Sequence, residues 1–147
     1  MLYHEKWMNY ALKEAEKAFD KKEIPVGCVI VHNEKLIAKA HNLVETLKDP
    51  TAHAEILAIT SACENRQSKF LDKCSVYVTL EPCPMCAGAL VHSRIENIYF
   101  GCFDFKSGAC GSVINIANNK SLNHSCNITG GILDIQCGIV LKSFFGR

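Results

Sequence analysis

No apolar run in the 147-residue sequence approaches the roughly 20 residues that a membrane-spanning helix needs. The first residues, Met1-Leu2-Tyr3-His4-Glu5-Lys6, lack the basic-then-apolar pattern of a secretory signal. A soluble, cytoplasmic protein with no membrane partner is therefore expected. An excess of charge of either sign is missing too. Sixteen Lys and Arg stand against 15 Asp and Glu, for a net charge of +1 with His neutral. That excludes a strongly basic surface gripping nucleic acid non-specifically, and leaves room for a small recognition patch. There are no internal repeats, low-complexity tracts or linkers. With 48% hydrophobic and 21% charged residues the chain is not disordered. Its length suits one core and one domain, 1–147.

Cysteine is the residue in excess. Nine of them, an odd number, are spread along the whole chain, unlike a secreted disulfide framework. Cys28, Cys63, Cys74 and Cys137 fall inside apolar patterns and read as small core residues. Cys102, Cys110 and Cys126 lie near loops.

The hydrophobic pattern predicts a first helix over Leu2–Lys21, with Trp7, Tyr10, Ala11, Ala15 and Ala18 at helical spacing. Val26–Val31 is a buried strand, and His32-Asn33-Glu34 turns it into a second, Lys35–His41, as a hairpin. Asn42–Pro50 is a loop. Thr51 caps a helix over Ala52–Glu64 whose inner face is drawn from Ile56, Leu57, Ile59 and Thr60. Cys74–Leu80 is a strand. Pro84 opens a helix reaching about Ser93, since its missing N–H costs nothing in a first turn. Strands at Ile95–Phe103 and Cys126–Thr129 and a helix at Leu133–Phe145 complete the chain. The order α-β-β-α-β-α-β-β-α predicts an α/β protein: a mixed, roughly five-stranded sheet with helices on both faces.

Two stretches carry chemistry, Thr51-Ala52-His53-Ala54-Glu55 and Glu81-Pro82-Cys83-Pro84-Met85-Cys86. Cys83 and Cys86 share one face at the start of a helix, where the helix dipole favours a thiolate. His53 begins another helix. Both helices follow strands or strand-to-helix loops, which in an α/β layout gather at the carboxyl edge of the sheet. Two soft thiolates and an imidazole select zinc over magnesium or calcium. Three protein ligands leave the fourth tetrahedral position to water, the pattern of a catalytic site. Glu55 then stands beside the metal as a proton carrier.

The spacing His-x-Glu followed by Pro-Cys-x-x-Cys resembles that of the zinc-dependent nucleobase deaminases. The resemblance extends to Asp49–Glu55, Val78–Ala89, His92-Ser93-Arg94-Ile95, Ile24-Pro25-Val26-Gly27, Asn42, Asp104–Ser112, Asn123-His124 and Phe144-Phe145. These are similar to the bacterial tRNA-specific adenosine deaminases, within the cytidine/deoxycytidylate deaminase superfamily. The zinc motif is shared with cytosine, guanine and cytidine deaminases, whereas Asp104–Ser112 and Asn123-His124 are more particular to the tRNA branch.

The resemblance implies a three-layer α/β/α cytidine-deaminase-like fold and a homodimer with one Zn2+ per subunit. It implies hydrolytic conversion of adenosine to inosine at the wobble position of a tRNA anticodon stem-loop. His53, Cys83 and Cys86 would hold the metal and Glu55 would move the protons. The backbone N–H groups of Ala54 and Cys83 would bond the base and the attacking oxygen. Asn42 would contact the flipped nucleoside in a pocket lined by Ile24, Pro25 and Val26. Asp104, Lys106, Ser107, Asn123, His124, Phe144, Phe145 and Arg147 would meet flanking nucleotides, Asp104 through a ribose 2′-OH. The bland readings are a turn for Asn42, core for Val26, and helix packing for at least one of Phe144 and Phe145. The rival functions are a small-molecule guanine or cytosine deaminase and a non-catalytic zinc-stabilised binding domain. Glu55 speaks against the second, because a structural site has no need of an acid that is not a ligand.

Overall fold

The structure, a computed structural model, describes residues 2–146; Arg147 lies outside them. Its elements are α1 (Leu2–Asp20), β1 (Gly27–His32), β2 (Lys35–His41), α2 (Val44–Leu47) and α3 (Ala54–Arg66), then β3 (Ser75–Leu80), α4 (Pro84–His92), β4 (Asn97–Cys102), β5 (Asn127–Thr129) and α5 (Asp134–Phe145). The sheet order is β2-β1-β3-β4-β5. β1 runs antiparallel to both neighbours, and β3, β4 and β5 run parallel. The sheet is therefore mixed and five-stranded, as the pattern predicts.

Strand alternation divides the core into two layers. Cys28, Ile30, Val76, Val78, Ile98 and Phe100 face α3 and α4. Val29, Val31, Tyr77 and Tyr99 face α1 and α5. The hairpin turn is Asn33-Glu34, both at positive φ (50° and 61°), with His32 paired to Lys35. That is the backbone twist a two-residue hairpin favours.

Four local expectations are corrected. The buried residues of α3 are Ala54, Glu55, Ala58 and Ala62, while Ile56 and Leu57 are half-buried and Thr60 is exposed. Small alanines at i, i+4 and i+8 let the helix lie close to the sheet. On α1 the buried aromatic is Trp7, whereas Tyr10 is 41% exposed and its place is taken by Met8 and Leu12. Thr51 does not cap α3. His53 occupies the cap position, and the Thr51 hydroxyl donates to Asp49 Oδ1 at 2.7 Å. The Asn42–Pro50 stretch also contains the short α2.

Register places the functional loops. Gly27 pairs with His41, Cys28 with Val78, and Leu80 with Cys102. The end of β2, the start of β1 and the ends of β3 and β4 thus share one edge of the sheet. α1 comes very close to β1 there, since a Cβ on Gly27 would collide with the Ala11 backbone.

Candidate active site

Both cap residues of the motif helices face that edge. His53 caps α3 and Cys83 caps α4, each with extended backbone and neither using its side chain to cap. Their side chains are thereby free to turn toward each other. Pro84 fixes the first turn of α4, and Cys86 follows within that turn. The Sγ atoms of Cys83 and Cys86 lie 3.6 and 3.5 Å from His53 Nδ1. All three ligand atoms fall within 4.8 Å of one another.

These separations fit one zinc ion. Zn–S and Zn–N bonds of about 2.3 and 2.05 Å at a tetrahedral angle put sulfur and nitrogen about 3.6 Å apart. One ring N–H cannot serve two sulfurs equally, whereas one cation serves all three atoms. The thiol of Cys83 is held well below the ordinary thiol range by its hydrogen bond with Cys86 and by His53, which suits a thiolate ligand. Cys28, buried on β1, is pushed the other way by burial and by nearby Glu55, and remains a neutral thiol.

Glu55 stands beside this group without joining it. It is 4% exposed, and burial raises its carboxyl to about 7. The neighbouring Cys83 adds to the rise, while its own backbone N–H and His53 oppose it. A carboxyl poised there can both take and release a proton at neutral pH.

His53, Ala54, Glu55 and Cys83 line a cavity of about 200 Å³. Ile24, Val26 and Asn42 form one further wall, and Asp104 and Ser107 another. Pro25 is buried between the first two. The Asn42 side chain donates to Ile24 O and accepts from Val44 N–H, both at 3.2 Å, so it joins the 24–26 segment to α2. Lys106 is exposed at the rim. Asn123 and His124 lie elsewhere: with Gly88, Val91, His92 and Arg94 they line a second cavity along α4, where His124 Nε2 bonds Ile95 O. Phe144 packs edge-on against Phe19 of α1, and Phe145 is 65% exposed.

Two buried acids that sequence reasoning did not single out hold the walls. The Glu81 carboxylate accepts the N–H groups of Asp104, Cys110 and Ser112 and the Ser112 hydroxyl. The Glu23 carboxylate accepts the N–H groups of Glu45 and Thr46 and the Thr46 hydroxyl. Their one sequence signal is an acid close to an apolar strand, just after β3 for Glu81 and four residues before β1 for Glu23.

Residues 1–102 match the zinc-binding region of the cytidine and deoxycytidylate deaminases. The chain belongs to that family. It is 46% identical to a tRNA-specific adenosine deaminase of Bacillus subtilis, over 99% of this chain and 90% of that protein. A structure from work on A-to-I editing by tRNA:A34 deaminases at the wobble position superposes with a TM-score of 0.88 at 37% identity, covering 91% of this chain and 97% of that one. The guanine deaminase of B. subtilis aligns less extensively, at 38% identity and a TM-score of 0.65 over 68% of this chain and 64% of that one. The three-layer fold and the zinc-binding character of the family agree with the resemblance drawn from the sequence. Among the described residues, no helix is long and apolar enough to cross a membrane.

Proposed function

We propose that the chain, acting as one deaminase domain, hydrolyses adenosine to inosine at the wobble position of a tRNA anticodon. The observation that carries this reading is a buried carboxyl, Glu55, sharing one cavity with a His-Cys-Cys group that fits zinc. The near full-length likeness to tRNA-specific adenosine deaminases selects the substrate among deaminases.

His53, Cys83 and Cys86 hold one Zn2+. Zinc held there would lower the pKa of a bound water to about 7 and so make a nucleophile available at neutral pH. Glu55 accepts the proton that the water loses and delivers it to N1 of the adenine as oxygen adds to C6. It then takes the second proton from the hydroxyl added at C6 and delivers it to the departing amino group, so that adenosine and water give inosine and ammonia. The N–H of Ala54, in the first turn of α3 where amides lack intrahelical partners, orients the base. A base reaches the floor of this cavity only after it leaves its stack, which a single-stranded anticodon loop permits at low cost. Val26, Pro25 and Asn42 bound the nucleoside. Asp104 meets a ribose 2′-OH, Ser107 and Lys106 meet the backbone nearby, and Asn123, His124 and Phe145 meet more distant nucleotides. The working unit is a cytoplasmic homodimer.

The test is an anticodon stem-loop carrying adenosine at the wobble position, with free guanine and cytosine beside it. Inosine in the RNA and no reaction on the free bases supports the reading. Turnover of guanine or cytosine with none on the RNA replaces it with the small-molecule function.

A further inference from the structure

The loop that follows β4 presents an aromatic ring to solvent at the cavity rim. Phe105 is 80% exposed, with most of its ring open to solvent. Asp104, the residue before it, and Ser107, two residues after it, line the cavity. The ring is not loosely held. Phe103 lies nearly parallel to it, with centroids 6.3 Å apart and planes 12° off. Phe103 in turn packs edge-on against Phe100, at 5.0 Å, and Phe100 is buried in the sheet. The three rings form a ladder from core to solvent, with distances in the favoured range for aromatic pairs. A Cβ on Gly130 would collide with the Phe100 ring, so a glycine makes room for the ladder's base.

The backbone under Phe105 is fixed as well. Asp104 Oδ1 accepts the N–H of Lys106 and of Ser107, both at 3.0 Å. Gly108 N–H closes the turn on Asp104 O at 2.9 Å. Glu81 anchors the start and end of the loop. An exposed ring on a rigid turn beside a base-sized cavity has the form of a stacking platform, and stacking accepts any of the four bases.

Resting on the reading of the cavity as a site for a nucleoside in a single-stranded loop, we propose that Phe105 stacks on the base adjacent to the one being deaminated. The ring thereby contributes to substrate binding, and it does not take part in proton transfer. It separates an RNA substrate from a free base, because only a polynucleotide carries a neighbouring base.

The test compares the wild-type protein with Phe105→Ala and Phe105→Trp on the wobble-adenosine stem-loop. The same RNA is also prepared with the base removed from either flanking nucleotide. Phe105→Ala is expected to lower kcat/KM by about 5- to 150-fold, the range for loss of one base–aromatic stack. The loss falls mainly on KM, since the contact is equal in ground and transition states. Phe105→Trp is expected to stay near wild type. Removing one of the two flanking bases should slow the wild type by a similar factor and Phe105→Ala by none. The platform is overturned if Phe105→Ala stays within about twofold of wild type, or if the two losses multiply. A wild-type protein inert on the intact stem-loop would instead overturn the substrate reading, and the platform with it.

Discussion

The carboxylate of Glu81 accepts both the backbone N–H, at 3.1 Å, and the hydroxyl of Ser112, 31 residues further along the chain. The same buried side chain takes the N–H of Cys110 and, at the other end of the loop, that of Asp104. Glu81 stands between the end of β3 and Cys83. One acid therefore ties the substrate-side loop to the strand that delivers the metal-type cysteines. Its charge is tolerated because every donor converges on it.

Glu81→Gln should expose that arrangement. An amide NH2 in place of one oxygen points a donor at N–H groups that need an acceptor. Loss of two or more charge-assisted bonds should destabilise the protein by about 2–4 kcal/mol. Urea unfolding measures the change, and limited proteolysis should show new cleavage within 104–112. A variant as stable and as protease-resistant as wild type would mean that the loop is held by other contacts.

The metal group makes a second prediction. Purified protein should contain one zinc per chain by elemental analysis. Cys86→Ser and His53→Ala should each bind it at least tenfold more weakly. Because ligand binding to the folded state adds to stability, a chelator should lower the melting temperature of wild type and leave both variants nearly unmoved. Full zinc content in either variant would remove that residue from the ligand set.

Glu23 gives the fold a dependence on acid. Burial alone would raise its carboxyl, but the Thr46 hydroxyl and the N–H groups of Glu45 and Thr46 hold it below the ordinary 4.5. A carboxyl depressed in the folded state stabilises it above the unfolded value. That stabilisation is lost as pH falls through the folded value. Protection of the Glu45 and Thr46 amides against hydrogen exchange should therefore be complete at pH 6 and fall progressively below about 4.5. In Glu23→Gln the protection should already be low at pH 6. Protection that ignores both acid and substitution would show that α2 is held without Glu23.

Much of this was legible in sequence because it is local. The strand alternation of Cys28-Val29-Ile30-Val31 and Val76-Tyr77-Val78 assigns the two faces of the sheet. Asn33-Glu34 marks the hairpin. The motif spacing places His53, Cys83 and Cys86 at helix starts. What was not legible depends on distance along the chain. Nothing near Glu81 or Glu23 in sequence shows that their partners lie more than 20 residues away. Thr51 has the chemistry of a helix cap, but Asp49, two residues earlier, takes its hydroxyl, and the cap falls to His53. Helical periodicity favoured Ile56 and Leu57 for the inner face of α3. The closeness of helix and sheet selected alanines. The resemblance assigns Asn123 and His124 to flanking nucleotides, and only the fold shows that they line a separate cavity along α4.

Glu55 decides whether the cavity is catalytic. It lies two residues after His53 and is almost fully buried, yet it stands outside the metal-type group. A carboxylate placed there for structure alone has no reason to sit in a cavity wall with its proton affinity raised to about 7. Glu55→Gln keeps the side chain's shape and removes its ability to accept a proton. Turnover of the wobble-adenosine stem-loop should fall by at least 10²- to 10⁴-fold, the usual worth of a general acid–base. Zinc content and RNA affinity should stay within about twofold of wild type, because neither depends on the lost proton. Rapid-quench measurement of a single turnover isolates the chemical step from product release. A variant that keeps zinc and reacts at near wild-type rate would take the proton-transfer role away from Glu55. A variant that loses zinc together with activity would place Glu55 among the residues that hold the metal.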